Sequence, residues 1–568
     1  MEMLDRISSL VKKIEKNEKL GNYIFVSLAS PTVKAKVKRL KVSRYLNDKI
    51  FDLCLGFKDK TGNFPEWIKI DIITDTKQVE FESLKKEMEM TRRNYIDYGV
   101  SYDKDYILSF LPEEINANAF LKPSKDKTGL FFSETNVNNY LDKYKYPKKA
   151  KLKSKYKPYR NQTYKTKQVI KFYTKSYFIE EDEIIELHDR GYNKGLRRIE
   201  NHHEEIDRLI HTSVSYLKEQ IKEGGQYVYG YFPHFDKKIN FYNNLRHSSS
   251  TYALIEGLAY LKQDVSVAKP PLDYIIDHYL YEYEGAAFVY DDSNNIKEIK
   301  LGQNAAFVFA ICEYLKYYPD ELDLLKAGQA AAKGILHMVD SENASTTHVL
   351  NYPSLTVKDK FRVVYYDGEA ALALLRLYQI DKNPIWLDTV KLLFEKFIEE
   401  KYWKYHDHWL GYCTNELVQI ENDKRYFEFG IKNVAGYLDY IKNRETTFPT
   451  FLEMLMATYH LLQKAKQYGY EDLIEEHMNE DEFLNVIHNR ADYQRLGYFY
   501  PEVAMYFKNP QRILGSFFIK HHGYRVRIDD IEHYISGYVQ YQSAFSLNRD
   551  ERKLNHHHLS GRIIEYKP

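Results

Sequence analysis

The densest group of residues with chemical potential lies near the end of the sequence, between positions 516 and 538. It contains two arginines, two aspartates and three histidines: His521, His522, Arg525, Arg527, Asp529, Asp530 and His533. The flanking residues are apolar and typical of a core, where charge is costly unless it is paired. This density indicates either a functional site or a tight ion network.

Asp529 and Asp530 are predicted to begin a helix, because carboxylates are favoured at the positive N-terminal end of the helix dipole. His533 follows one turn later and shares a helix face with either aspartate. The charges exceed what a capping network needs, so the sequence predicts a functional cluster. On this interpretation Asp530→Ala and His522→Ala abolish turnover or ligand binding with little change in melting temperature.

The same cluster holds residue types that bind zinc, manganese or iron: His521, His522, Asp529, Asp530 and His533. Arg525 and Arg527 would repel a cation, however, and HExxH spacing does not occur. No metal is therefore predicted. A P-loop, a GxGxxG and a GxSxG motif are also absent from the sequence, so no cofactor is predicted either.

The overall composition argues against nucleic acid or a membrane as a partner. Lys and Arg number 82 against 81 Asp and Glu, a net charge of +1. No segment approaches the ~18 apolar residues of a membrane span. The 52 tyrosines suit carbohydrate, since the ring stacks on a sugar face and the hydroxyl hydrogen-bonds, although many of them can simply fill half-buried positions.

The three cysteines, Cys54, Cys312 and Cys413, are isolated from one another and lack CxxC spacing. This pattern is typical of a reducing compartment, and a cytoplasmic location is predicted.

Residues 1–142 are predicted to form a small α/β or α+β domain. Apolar alternation at 22–28 and 67–73 predicts strands, and the patterns at 82–98 and 106–118 predict helices. The polar groups Arg92–Tyr95 and 113–118 are interpreted as solvated helix faces or interdomain contacts rather than as a binding site.

Residues 143–202 form a connecting segment that begins with a run rich in Lys and Tyr. Such a run can bind single-stranded nucleic acid, but in a neutral chain it is more typical of an extended linker. Residues 546–568 lack periodicity and are predicted to be a disordered tail or a remnant of cloning.

Helical periodicity dominates residues 203–545, with about a dozen candidate helices. They lie at 204–222, 249–261, 272–283, 304–317, 321–339, 368–378, 384–400, 426–442, 451–468, 481–492, 502–507 and 529–541. Alternate members are apolar nearly all round, while the helices at 321–339 and 384–400 carry a polar face. Helix pairs stack because one pair cannot bury its own apolar face. The predicted fold is mainly α: a C-terminal (α/α)6 toroid of helical hairpins preceded by the small N-terminal domain.

Polar clusters recur at the starts of alternate helices. They lie at 243–250, 302–304, 365–369, 444–447 and 525–533, and two more occupy loop-like positions at 405–409 and 414–416. Inner helices of a closed ring share their direction, so these clusters are expected to converge on one mouth of the ring. Helix N-termini also favour anionic ligands.

Sugar chemistry requires acid and base groups on either side of the reacting carbon, with their pKa values pushed apart. Asp367 and Glu369 are the carboxylate candidates outside the late cluster, with helix capping as the alternative. Asp530 and His533 are the candidates within it. Substrate contacts are predicted at Arg246, Asn304, Tyr366, Trp409, Arg525 and Arg527, although Trp409 is equally typical of a core.

This layout resembles the (α/α)6-barrel sugar enzymes, which include the N-acylglucosamine 2-epimerase family, the glucuronyl C5-epimerases and many glycoside hydrolases. The resemblance covers roughly residues 204–542 and rests on helix-pair spacing, on the segment 366–378 and on the late cluster. It implies a carbohydrate in the central funnel. In the epimerase family two histidines from separate helices act as acid and base, which implies His247 and either His522 or His533.

The predicted function is thus a carbohydrate-active enzyme, an epimerase, isomerase or glycoside hydrolase, acting on an anionic saccharide in surface-polysaccharide metabolism. Two alternatives remain: a non-catalytic glycan-binding or scaffold protein of polysaccharide assembly, and a metal-dependent hydrolase. The sequence gives no oligomeric state.

Overall fold

The N-terminal part of the chain is built on an antiparallel sheet. The computed structural model describes residues 3–126, 129–146 and 167–546. The strands are β1 (Tyr23–Ser30), β2 (Val33–Lys41), β3 (Trp67–Glu80), β4 (Gly99–Ser101), β5 (Ser109–Phe110), β6 (Leu121–Pro123), β7 (Leu130–Phe132), β8 (Gln168–Glu180) and β9 (Glu183–Glu186). The sheet has the order β2-β1-β3-β8-β4-β5, with β9 paired to β8 and with β6 and β7 forming a separate hairpin.

Both faces of this sheet are covered. Its helices are α1 (Met3–Asn17), α2 (Leu46–Thr61), α3 (Phe81–Met90), α4 (Pro112–Ala117) and α5 (Glu134–Tyr140), the last followed by a π-helical turn at Leu141–Lys145. Successive strand residues point to opposite faces, and Ile24 and Val26 pack with α1 and α2. Phe25 and Ala29 join the core of the C-terminal helices instead. The sheet is therefore sandwiched between its own helices and the second domain.

The two helices predicted for the N-terminal domain are shorter than expected. The helix predicted at 82–98 ends at Met90, and the one predicted at 106–118 is reduced to α4. The backbone is extended at Thr91 (φ −69°, ψ 143°), directly after Met90, and left-handed at Asn94 (φ 68°), so the helix does not continue. Arg92–Tyr95 therefore form a loop, which contacts the second domain through a hydrogen bond from Asn94 Nδ2 to the Lys520 carbonyl oxygen (2.7 Å).

The remaining described chain is mainly helical. Its helices are α6 (His202–Glu219), α7 (Asn244–Tyr260), α8 (Lys269–Tyr279), α9 (Leu301–Leu315), α10 (Leu322–His337), α11 (Tyr365–Asp381), α12 (Pro384–Glu399), α13 (His408–Leu417), α14 (Lys424–Ala435), α15 (Leu438–Asn443), α16 (Thr450–Gln467), α17 (Glu471–His477), α18 (Glu480–Tyr493), α19 (Pro501–Ala504) and α20 (Ile528–Phe545). Short 3₁₀ turns lie at Val265–Ala268, Ser293–Asn295, Tyr402–Tyr405, Gln494–Gly497, Pro510–Arg512 and Lys520–His522.

Alternate helices close into an inner ring. Helices α7, α9, α11, α13, α16 and α20 each contact the next, and α20 packs back against α7. Each inner helix has one partner that packs outside it. The outer helices, in the order of the inner ring from α7 to α20, are α8, α10, α12, α14, α18 and α6. Every residue of α9 is buried, because it has helical neighbours on both sides and a partner behind it. This ring confirms the predicted (α/α)6 toroid.

One inner helix differs from the prediction. Helix α13 occupies residues interpreted as loop, whereas the helix predicted at 502–507 is only the single turn α19. Helix α13 is ten residues long and almost wholly buried, so its sequence shows no polar face from which a helical period can be read.

Short strands connect the helices at the end of the ring where the inner helices begin. Strands β10 (Gly230–Phe232), β11 (Lys237–Lys238) and β17 (Val526–Arg527) form one sheet. Strands β12 (Leu280–Tyr283), β13 (Ala286–Asp291), β14 (Glu298–Lys300), β15 (Val349–Asn351) and β16 (Val357–Asp359) form another. Strands β14 and β17 lead directly into α9 and α20, so they fix where those helices begin.

Most of the basic run at 143–167 and the tail at 547–568 lie outside the described residues. Among the helices of the described ranges, none combines the length and apolar character that crossing a membrane requires.

Candidate functional site

The N-terminal ends of the inner helices meet at one end of the ring. Side-chain contacts or close approaches join the first two turns of the inner helices, and three of the four pairs involve α20. The pairs are Arg246 with Asp529, Gly302 with Glu369, His408 with His533, and Glu453 with His533. The polar clusters that the sequence places at alternate helix starts thus converge on one funnel.

Two histidines from different inner helices face each other in this funnel. His408 begins α13, which Asp407 caps by accepting a hydrogen bond from the Trp409 N–H (3.0 Å). The centroids of the His408 and His533 rings lie 5.3 Å apart at an interplanar angle of 78°. His533 Nδ1 donates a hydrogen bond to Glu453 Oε2 (2.8 Å). His408 Nε2 is buried and has no hydrogen-bond partner in the described part of the chain.

The surroundings push the pKa values of these two histidines apart. Burial and the charge of His533 hold the pKa of His408 well below its ordinary value. Burial acts on His533 in the same direction, but the carboxylates of Glu453 and Glu532 outweigh it and raise the pKa to about 9. At neutral pH the funnel therefore contains one neutral imidazole and one imidazolium.

Two buried carboxyl groups complete the funnel wall. Burial raises the pKa of Glu369 well above its usual range, with Asp407 and Glu532 adding to the effect. Glu369 Oε2 has no hydrogen-bond partner among the described residues. Burial also raises the pKa of Glu532 to about 7, and Ser249 Oγ donates a hydrogen bond to its Oε2 (2.6 Å). Glu369 is thus a buried carboxyl whose neutral form is favoured and whose Oε2 has no partner among the described residues.

The arginines and aspartates at the start of α20 neutralise one another. Arg527 Nε and Nη2 donate to the two oxygens of Asp530 (3.0 and 2.7 Å), and Nη2 also lies 3.1 Å from Asp529 Oδ2. Arg246 Nη1 pairs with the same Asp529 oxygen. Asp530 is 1% exposed. The geometry assigns Asp530, Arg527 and Arg246 to a buried ion network, although Asp529 Oδ1 has no partner among the described residues.

Two predicted site residues point away from the funnel. His247 is fully buried, with Nδ1 accepting from the Tyr242 hydroxyl (2.7 Å) and Nε2 donating to the Pro271 carbonyl oxygen (2.8 Å). Both ring nitrogens are occupied, so this histidine joins α7 to α8 and is not available as a base. Asn304 accepts from the Val289 N–H (2.7 Å) and donates to the Lys300 carbonyl oxygen (2.8 Å), which ties α9 to its preceding strands.

Asp367, Tyr366 and Trp409 lie at the edge of the site. Asp367 accepts hydrogen bonds from Thr346 Oγ1 (2.6 Å) and His348 Nε2 (3.1 Å), which direct it towards the loop before α11. A Cβ atom at Gly302 would lie 2.5 Å from the Tyr366 ring, so this tyrosine packs against the start of α9. Trp409 is 3% exposed and packs between Phe309 and His533, with centroid distances of 5.1 and 6.2 Å.

A cavity of about 230 Å³ opens at the mouth beside His408. Its walls include Tyr365, Thr450 and Phe451 of the inner helices, Arg444 and His521 of the connecting loops, and Arg92 of the N-terminal domain. The rings of His521 and His522 lie 4.3 Å apart at this rim. Burial lowers the pKa of His522, an effect that Asp530 opposes and Arg525 and Arg527 reinforce.

The residues expected to bind a metal do not form a ligand set. Asp529 and Asp530 form ion pairs with Arg246 and Arg527. His521 and His522 lie at the rim of the cavity. Within the described ranges, the group that could hold an ion consists of His408, Glu453 and His533. Each offers one ligand atom, and these three atoms lie within 4.8 Å of one another. Glu453 already accepts from His533 and from the Tyr412 hydroxyl (3.0 Å), so the donor set fits a hydrogen-bonded network better than a cation.

Sequence reasoning missed three residues of this constellation: His408, Glu453 and Glu532. A signal exists for Glu453, which is the single carboxylate in the otherwise apolar segment 451–456. His408 belongs to a cluster that the sequence analysis noted but placed in a loop.

No protein-family model and no curated protein sequence matches this chain. Three solved structures similar to it are a sugar epimerase from a ruminal bacterium, a D-mannose isomerase and a GH76 α-mannanase from Bacteroides thetaiotaomicron. Sequence identities are 13%, 10% and 12%, with TM-scores of 0.47, 0.46 and 0.44. The matches cover 60%, 61% and 60% of this chain and 98%, 100% and 97% of those chains. The assignment of the (α/α)6 toroid rests on the contacts between the helices of this chain.

Proposed function

We propose that the protein is a sugar epimerase or isomerase in which His408 is the base and His533 the acid. One observation carries this proposal: two histidines from separate inner helices face each other with pKa values shifted in opposite directions. Environments that separate the pKa values of neighbouring groups are typical of acid–base sites. Catalysis further requires a base with a free atom, which His408 Nε2 provides.

In this mechanism the neutral His408 removes a proton from the carbon next to the sugar carbonyl. The electron pair of that C–H bond forms a carbon–carbon double bond, and the carbonyl oxygen takes a proton from the His533 imidazolium. The resulting enediol is neutral overall. If the enediol rotates so that its opposite face meets His408, return of the proton to the same carbon gives an epimer, whereas return to the former carbonyl carbon gives an isomer. In both cases an enediol hydroxyl gives its proton back to His533 as the carbonyl re-forms, so both histidines regain their starting states.

Solvent deuterium exchange tests this proposal. The protein is incubated in D₂O with a panel of reducing sugars and uronic acids, and NMR follows the hydrogen on the carbon beside the carbonyl. We expect deuterium to appear there together with a new epimer or isomer, and neither should form with His408→Gln. Binding without exchange across the panel would instead favour the glycan-binding alternative.

A glycoside hydrolase is the second candidate, and it is favoured by the raised pKa of Glu369 and by its Oε2, which has no partner among the described residues. Hydrolysis releases a new reducing end without deuterium on the adjacent carbon, so the two reactions are distinguishable in the same samples. A metal-dependent hydrolase is tested by dialysis against a chelator, and we expect full activity to survive it. The predicted substrate class, an anionic saccharide of surface-polysaccharide metabolism, remains part of the proposal.

A further inference from the structure

The arginines expected to hold an anionic substrate are largely neutralised. Arg246 and Arg527 are paired with Asp529 and Asp530 inside the ion network. If a negative charge is bound at this site, another group of cations has to bind it.

Such a group surrounds His521 at the mouth of the funnel. Arg92 and Arg444 line the same 230 Å³ cavity as His521 and His408. The Arg93 guanidinium lies against the backbone of Gly523, where an added Cβ would be 2.7 Å from Nη2. Arg525 follows two residues later. Arg92 and Arg93 come from the loop after α3, so the N-terminal domain supplies half of these cations.

These four arginines lack ion-pair partners in the described residues. The Nε atoms of Arg92, Arg93 and Arg525 are buried without a hydrogen-bond partner there, and so is His521 Nδ1. The hydrogen bond found for an Arg92 side-chain nitrogen runs to Thr446 Oγ1 and is long at 3.4 Å. The adjacent carboxylate, Glu445, is exposed to solvent and lines a second cavity, which Arg92 also borders, without an ion pair between the two in the described residues.

Arg92, Arg93 and Arg525 are half-buried, and Arg444 is exposed beside them. Half-buried cations with unsatisfied donors are costly unless an anion joins them. Guanidinium groups bind planar carboxylates and phosphates through paired N–H donors. We propose that Arg92, Arg93, Arg444 and Arg525 form an anion-binding rim that holds a carboxylate or phosphate of the saccharide while its reacting carbon lies beside His408. This assignment rests on the proposed function for the substrate class, but it makes the N-terminal domain part of the site.

Binding measurements test the rim without requiring turnover. Calorimetric titrations at low salt compare glucuronate and glucose 1-phosphate with neutral glucose, for the parent and for Arg92→Gln and Arg93→Gln. Arg39→Gln is the matched control, since Arg39 lies in the same domain on β2 and stacks on the Tyr23 ring (4.6 Å). The two anions separate a carboxylate site from a phosphate site.

We expect at least one of the two anions to bind more tightly than glucose, and its Kd to rise about tenfold or more in each rim variant, as expected for loss of a charge-assisted hydrogen bond. Glucose binding and the Arg39→Gln variant should be unchanged. Melting temperatures of the rim variants should equal or exceed that of the parent, because an unpaired cation has been removed.

Equal binding of glucose and both anions, no anion binding at all, or rim variants that bind like the parent would each overturn the assignment. These results are independent of the acid–base proposal. Deuterium exchange on neutral sugars without anion binding would retain the histidine pair and reject the rim, whereas anion binding without exchange would do the reverse.

Discussion

The imidazole of His533 is fixed by a hydrogen bond from its Nδ1 to Glu453 Oε2, 2.8 Å away on the neighbouring inner helix. This bond orients the ring towards His408 and stabilises its charged form. Because Glu453 also accepts from the Tyr412 hydroxyl (3.0 Å), the carboxylate itself is held in place. Three inner helices thus contribute to the position and charge of one imidazolium.

Replacing either histidine of the pair should strongly lower turnover without unfolding the protein. General acid or base groups contribute about 10²–10⁴-fold to rate, so His408→Gln and His533→Gln should each lower kcat by that factor. His408 Nε2 forms no hydrogen bond in the described residues, and its replacement should leave the melting temperature nearly unchanged. His211→Gln, on the exposed face of α6, is the control for a histidine outside the site. Full activity in His408→Gln would reject the mechanism.

Activity should fall as pH rises through about 9. The folded pKa of His533 lies near 9, above the ~6.5 of an unperturbed histidine, so the imidazolium is present below that pH and lost above it. By linkage, its contribution to folding stability is complete below pH ~6.5 and is lost across the same interval. Profiles of kcat/KM against pH should show this alkaline limb, and Glu453→Gln should move it to lower pH. A limb at the same pH in Glu453→Gln would assign it to another group.

Asp530→Ala should destabilise the protein, in contrast to the expectation from sequence. Asp530 is 1% exposed and forms two hydrogen bonds with Arg527, so its removal leaves a half-buried cation without its main partner. Breaking a buried pair costs about 3–5 kcal/mol. Denaturant unfolding measures this cost, with Asp323→Ala as the control because the Asp323 side chain is 96% exposed in its own pair. His522→Ala, at an exposed rim position, should leave stability unchanged. A parental midpoint for Asp530→Ala would restore the functional interpretation of this residue.

Gly302→Ala should disturb Glu369. A Cβ at position 302 would lie 1.8 Å from Glu369 Oε2, so either the carboxyl or the start of α9 has to move. We expect a loss of about 1–3 kcal/mol from overpacking, together with reduced kcat. Gly411→Ala in α13 is the matched control, because its nearest contact would be 3.6 Å and alanine favours a helix. Equal stability and activity in the two variants would show that Glu369 is not confined by α9.

The sequence predicted the ring because the middle parts of α9 and α11 are apolar nearly all round, as expected of helices with neighbours on several sides. It also predicted that polar helix starts converge, since helices of one ring share their direction. Helix α13 escaped prediction because its small residues Gly411, Cys413 and Thr414 let it lie buried with no polar face.

The sequence could not give the rotation of each helix about its axis, and this rotation decides which side chain enters the funnel. Arg246 and His247 are consecutive residues of α7, yet Arg246 reaches Asp529 in the funnel and His247 reaches Pro271 of α8. The rotation of α16 likewise places Glu453 against His533, a contact that the sequence does not indicate. Helix rotation therefore separates residues that the sequence grouped together, such as Arg246 and His247, while His533 and Glu369 stay in the funnel.

The hydrogen bond between Asn94 and the Lys520 carbonyl joins residues 426 positions apart, and the loop that makes it also carries Arg92 and Arg93. Contacts of such sequence separation form late, because the entropy of closing the intervening chain has to be overcome before they can stabilise anything. Contacts between successive helices of the ring join nearer segments and can form earlier. During refolding, helical content and burial should thus recover before ligand affinity does. A newly made chain should bind the ligand only after the loop that carries Asn94 has reached Lys520.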